Sequence, residues 1–166
     1  MGYLLSDSDL ACFERAIELA LLAEAEGNLP IGCVIALDGR AVAEGKNSIF
    51  APEFNPRRHA EIEALQRLPR RLLEEAAGRL TLYSTLEPCL MCTATILHHG
   101  VGKVLFAAAD KYGGSSPSLG HMPPYYEERL AAVEWLGPVL SETCDPLLQR
   151  AREIVEERQS RGRFHA

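Results

Sequence analysis

The chain has 166 residues and a net charge of −6, from 17 Lys and Arg against 23 Asp and Glu. Hydrophobic residues make up 47% and charged residues 24%, a globular balance that excludes wholesale disorder. No apolar stretch is long enough to span a bilayer, and no basic segment with an apolar run behind it marks a secretory signal. Five cysteines, an odd number in a chain able to build its own core, argue for a reducing, cytoplasmic setting and against a disulfide scaffold. The acidic balance is a poor footprint for strong nucleic-acid binding.

With no repeat or linker-like stretch, residues 1–166 are expected to form one domain. Ser6-Asp7-Ser8-Asp9 carries a capping-box signal, and Leu10, Phe13, Ile17 and Leu21 recur at helical spacing up to a stop at Gly27. Gly32 to Leu37, the turn Asp38-Gly39 and Arg40 to Glu44 read as a hairpin. Asn47 to Arg58 reads as a loop, and Ile62, Leu65 and Leu68 as one face of a short helix that Pro69 ends. A strand over Leu80 to Leu86 is followed by a helix from Pro88 to His99, with Gly100 as its stop. Lys103 to Ala109 reads as a buried strand, while Tyr112 to Pro124 is too rich in Gly, Ser and Pro to place. A helix over Tyr125 to Ala132 and a weaker strand over Val133 to Leu140 follow. The last helix has Asp145 as N-cap, Pro146 in its first turn and a stripe of Leu147, Leu148, Ala151, Ile154 and Val155. This order predicts an α/β fold whose mixed central sheet has helices on both faces.

Two motifs carry chemistry: His59-Ala60-Glu61, and Pro88-Cys89-Leu90-Met91-Cys92 about 30 residues on. Each opens a predicted helix, where free backbone N–H groups and the helix dipole favour thiolates. Two thiolates and an imidazole give three ligands of a tetrahedral zinc, with a fourth position open for a water that ionises near neutral pH. A regular helix would send residues two apart to different sides, so His59 must sit at the helix entry for Glu61 to face the same centre. Glu61 is then the carboxylate that takes the proton from that water and delivers it to the substrate, not a ligand. A closed structural zinc would need a fourth protein ligand, for which Cys33 and Cys144 can be put forward. A redox Cys-x-x-Cys is the other reading of the pair, and the matching His-x-Glu argues against it. His-x-Glu followed by Pro-Cys-x-x-Cys is the pattern of zinc nucleobase deaminases.

Beyond the zinc motifs, Pro30-x-Gly32-x-Val34, Asn47, Ile62, Leu82-Tyr83-x-Thr85-Leu86-Glu87 and Val104-Leu105-Phe106 complete an ordered set over about residues 8 to 110. The set resembles the cytidine deaminase-like superfamily, within it the branch of bacterial tRNA adenosine deaminases, guanine deaminases and fungal-type cytosine deaminases. The resemblance implies a three-layer α/β/α sandwich on a mixed five-stranded sheet, a homodimer or larger assembly, and hydrolytic release of an amino group as ammonia. It implies one Zn2+ per chain on His59, Cys89 and Cys92, Glu61 as proton shuttle, and substrate contacts from the Asn47 side chain and the Ala60 backbone N–H. The chain departs from the pattern with Thr93-Ala94-Thr95 where Ala-Gly-Ala is frequent, and with His99-Gly100-Val101 where tRNA adenosine deaminases commonly carry Ser-Arg-Ile.

Glu87, beside the cysteines, suits a supporting or a purely structural place equally. His98 and His99 suit the negative end of a helix, and Cys12, Cys33 and Cys144 suit buried positions. Arg57, Arg58, Arg67, Arg70 and Arg71 form one basic cluster, and Arg150, Arg152, Arg158, Arg161 and Arg163 another. Both interleave with glutamates and read as solvated faces before they read as an RNA surface. The leading expectation is therefore a deaminase of a free nucleobase or nucleoside of guanine, cytosine or adenine type. A tRNA adenosine deaminase is the alternative, and a non-catalytic zinc scaffold the second.

Overall fold

The computed structural model describes residues 3–162. Helix α1 spans Asp7–Ala25 behind a Ser6 N-cap, with Asp9 completing the capping box. Its buried face is Cys12, Phe13, Ala16, Leu19, Ala20 and Ala23; Leu10 and Leu21, counted in the predicted stripe, are exposed. Small alanines let α1 lie close to the sheet, so the bulkier leucines turn outward.

Strands β1 (Gly32–Leu37) and β2 (Arg40–Lys46) form the expected hairpin, with Asp38 and Gly39 both at positive φ in the turn. The helix α2 (Ala60–Arg67) ends before Pro69, and a short α3 (Arg70–Glu75) follows that the charged run Arg70-Arg71 gave no periodicity to reveal. Then come β3 (Leu80–Leu86), α4 (Leu90–His98) and β4 (Lys103–Ala108). The segment left unplaced holds a 3₁₀ turn at Ser116–His121, followed by α5 (Pro124–Leu130). The last strand, β5, covers only Glu134–Leu136 of the predicted Val133 to Leu140, because Gly137-Pro138 interrupts it. Helix α6 (Ser141–Ser160) starts a turn earlier than Asp145, with Pro146 inside it. Cys144, fully buried, anchors that extra turn, and its N–H donates to the Leu140 carbonyl at 3.0 Å.

The sheet runs β2-β1-β3-β4-β5, antiparallel around β1 and parallel from β3 to β5, the mixed five-stranded sheet that was expected. Strand alternation divides the core. Val34, Ala36, Tyr83 and Leu105 pack toward α1 and α6, whereas Cys33, Ile35, Leu82 and Val104 pack toward α2 and α4. Gly45 on β2 brings α2 close, since a Cβ there would collide with the Ala60 carbonyl and the Ala64 nitrogen. Among the described residues no helix is long and apolar enough to cross a membrane.

Candidate active site

His59 and Cys89 occupy equivalent places. Each is the N-cap of its helix, α2 or α4, in extended conformation, and neither side chain caps its own helix. Both side chains turn to a common point instead, where His59 Nδ1 lies 3.7 Å from Cys89 Sγ and 3.5 Å from Cys92 Sγ. Zinc at its usual bond lengths to nitrogen and thiolate makes tetrahedral edges of about 3.5 to 3.8 Å, so these three donors fit the ion. No fourth His, Cys, Asp or Glu joins this group among the described residues. Cys33 and Cys144 are free and buried elsewhere in the core, which removes the closed-site reading.

The donor set also fits electrostatically. The Cys89 thiol is pulled down to about 4, first by a hydrogen bond from Cys92 and then by His59. Cys92 is pushed up by the Cys89 thiolate beside it and by burial. Two neighbouring thiolates need a cation to ionise together. Burial pushes the His59 imidazole down, but Cys89 and Glu61 outweigh it and the net shift is upward.

Glu61 sits in the first turn of α2, buried, with its side chain reaching Ser84 on β3. Its Oε1 accepts the Ser84 hydroxyl at 3.2 Å and its Oε2 the Cys92 thiol at 3.5 Å. Burial raises its carboxyl above the usual range. Ala60, the first residue of α2, is fully buried, and its N–H is one of the four a helix start leaves without an intrahelical partner. Asn47 follows β2 and is also fully buried. Its Oδ1 accepts the N–H groups of Leu29 and Ile49, both at 3.3 Å, while its Nδ2 has no partner among the described residues. The Ser48 N–H donates to the Arg58 carbonyl at 2.9 Å, closing the loop whose two ends are Asn47 and His59.

Four further residues support the site. Glu63, buried, receives Arg58 at 3.0 Å and Arg67 at 2.9 Å, which fixes the residue before His59. Ser84 holds Glu61. Thr93, one of the departures from the family pattern, donates to Ser115 Oγ at 2.8 Å, and Glu87 is buried against the loop after β4. Adjacency to the zinc motifs was the only signal for any of them. At the far end of α4, His99 Nδ1 meets the Thr95 carbonyl at 2.7 Å, the helix-end contact expected of it, whereas His98 Nδ1 pairs with Tyr125 Oη at 3.1 Å.

Residues 6–108 match the model for the cytidine and deoxycytidylate deaminase zinc-binding region, and the chain belongs to that family. It is a zinc-binding hydrolytic deaminase. It is 35% identical over 153 residues to the tRNA-specific adenosine deaminase of Haemophilus influenzae, covering 89% of this chain and 87% of that protein. A solved structure from studies of A-to-I editing by tRNA:A34 deaminases at the wobble position of transfer RNA matches with a TM-score of 0.66 at 28% identity, over 76% of this chain and 96% of that one. A guanine deaminase from Nitrosomonas europaea matches with a TM-score of 0.69 at 19% identity, over 90% of this chain and 86% of that one, a likeness of fold alone.

Proposed function

We propose that the protein is a tRNA adenosine deaminase, which converts an adenosine in a tRNA loop to inosine and releases ammonia. The relatives that support this substrate are named for tRNA and match most of both chains, so the expectation of a free base or nucleoside gives way to its alternative. The chemistry rests on one observation: a buried carboxylate, Glu61, placed against Cys92 of the His59–Cys89–Cys92 set.

His59, Cys89 and Cys92 would hold the zinc ion, which when bound would bring the ionisation of a water molecule to near neutral pH. Glu61 accepts the proton on Oε2, the oxygen that faces Cys92. It then passes that proton to the ring nitrogen beside the attacked carbon, takes up the remaining proton of the hydroxyl added to that carbon, and delivers it to the amino group as ammonia leaves. Ser84 keeps Oε1 oriented throughout. The unpartnered Nδ2 of Asn47 donates to an acceptor on the base, and the Ala60 N–H orients the reacting group.

The reading includes one domain over residues 1–166, a cytoplasmic setting consistent with five free cysteines, and a homodimer. Leu90 and Met91, exposed on the first turn of α4, give the dimer an apolar surface to cover. The test is deamination by the zinc-loaded protein of unmodified tRNA beside guanine, cytosine, adenine and their nucleosides. Inosine in tRNA alone supports the proposal, and turnover of a free base without turnover of tRNA refutes it.

A further inference from the structure

The segment after β4 is folded around a single carboxylate. Glu87, only 6% exposed, accepts the Asp110 N–H on Oε2 at 3.0 Å and the Ser116 N–H on Oε1 at 2.8 Å. Gly114, between them, has no room for a side chain, because a Cβ would collide with the Glu87 carboxyl group. The same loop is stitched to the zinc motif. Cys89 and Gly114 pair as an antiparallel bridge, and the Ser115 N–H donates to the Pro88 carbonyl at 3.0 Å. From α6, Arg152 reaches Asp110 at 3.3 Å.

This loop leaves the carboxyl end of β4, beside the carboxyl end of parallel β3, where open α/β sheets place their ligands. Its tip is Lys111-Tyr112, with Tyr112 97% exposed. An aromatic face and an ammonium suit the unstacked bases and phosphates of an RNA loop. Holding two converging N–H groups calls for two acceptor oxygens, which a carboxylate supplies and an amide, with one oxygen and an NH2, does not.

We propose that Glu87 is a positioning residue: it holds Asp110–Ser116 as one wall of the substrate site, in fixed relation to Cys89, so that Lys111 and Tyr112 meet the nucleotides flanking the target adenosine. The nature of that substrate rests on the tRNA reading above. Glu87 acts through the loop and touches no reacting atom.

Glu87→Gln and Gly114→Ala disturb this clamp from opposite sides and replace no zinc ligand. In the zinc-loaded full chain, each should raise KM for unmodified tRNA about tenfold while kcat stays within about threefold of wild type. Zinc content should stay at one per chain, and amide hydrogen exchange should quicken at Asp110 and Ser116. The double variant should add little to either single one, since both break the same clamp. Unchanged KM in both variants, or unchanged exchange at the two amides, overturns the inference. So does a joint loss of zinc and kcat, which would make Glu87 a support of the metal motif instead. Wild-type protein inactive on tRNA refutes the proposed substrate separately; exchange then decides whether Glu87 holds the loop, and KM for whichever base is accepted decides whether the loop forms a substrate wall.

Discussion

Replacing Glu61 by Gln should remove the chemistry and leave the metal. The carboxylate is buried, with Ser84 Oγ 3.2 Å from Oε1 and Cys92 Sγ 3.5 Å from Oε2. Gln has the same shape and keeps an oxygen for the Ser84 hydroxyl, so neither the packing of α2 nor the three metal donors is disturbed. The lost property is basicity: an amide takes up no proton at working pH, and no second carboxylate joins the donor group among the described residues. A positioned acid–base group contributes about 10² to 10⁴ in rate, and this one handles every proton transfer in the proposed reaction. Glu61→Gln should therefore lower kcat by about 10³, equivalent to about 4 kcal/mol of barrier. Single-turnover inosine formation on tRNA, with zinc content measured on the same sample, checks it. Full zinc with kcat within about tenfold of wild type would refute the proton-shuttle role, since this is less than positioned acid–base catalysis contributes. Zinc loss as complete as that of a ligand variant would show instead that Glu61 holds the metal.

Asn47→Asp keeps an acceptor for the Leu29 and Ile49 N–H groups but removes the unpartnered Nδ2 donor. It should cut kcat/KM by about tenfold or more with the thermal melt little changed, whereas Asn47→Ala should also cost about 1–3 kcal/mol of stability. Cys89→Ser should abolish stoichiometric zinc, and its melting temperature should ignore a chelator that lowers that of wild type; a variant with full zinc contradicts the ligand assignment. Burial pushes the Asp9 carboxyl up, but hydrogen bonds from Tyr83, Ser6 and Tyr3 outweigh it, and the net shift is downward. A depressed folded pKa gives stability that is present above the unfolded value of about 3.9 and lost as pH falls through the folded one. Tyr83→Phe should therefore lower stability at pH 7 by about 1–3 kcal/mol and flatten the acid limb, as read by denaturant melts across pH. Binding of tRNA should depend only shallowly on salt, with a log–log slope of about 2 in magnitude, because few arginines are available for phosphates; a slope of about 5 or more would contradict that count.

The zinc motifs were legible because their chemistry needs particular side chains at particular helix starts. His59 and Cys89 are N-caps that do not cap, and the spacing argument for Glu61 required that entry position. Strand β3 and the hairpin were legible because buried alternation and a turn dipeptide are local signals. What escaped depended on contacts distant in sequence. Leu10 and Leu21 fit a helical stripe but lost the core to Ala16, Ala20 and Ala23, since close approach to the sheet favours small residues. The start of α6 was set by Cys144 burying itself under the sheet, which overrode the signal of Pro146. Glu87 looked neutral because its partners are backbone N–H groups more than 20 residues away.

The arginine clusters reconcile an acidic chain with the proposed RNA substrate. Of the nine described members, Arg58 and Arg67 both pair with Glu63, Arg70 with Glu74, Arg150 with Glu24, Arg152 with Asp110 and Arg161 with Glu157. Arg163 lies outside the described residues. Arg57, Arg71 and Arg158 form no ion pair among them, and Arg158 instead covers the Phe50 ring at 3.7 Å and donates to the Gly27 carbonyl at 3.1 Å. Most of this positive charge is thus neutralised by the fold's own carboxylates, and several of those pairs hold the site: one fixes the residue before His59, another ties α6 to the loop clamped by Glu87. Such a surface offers little field with which to grip a duplex and force a base out of its stack. An adenosine in a loop is already free of pairing, and extruding it costs the least. On the proposed reading, selectivity then resides in the pocket and its loop wall, and the net charge of −6 is no obstacle to a substrate that arrives with its base exposed.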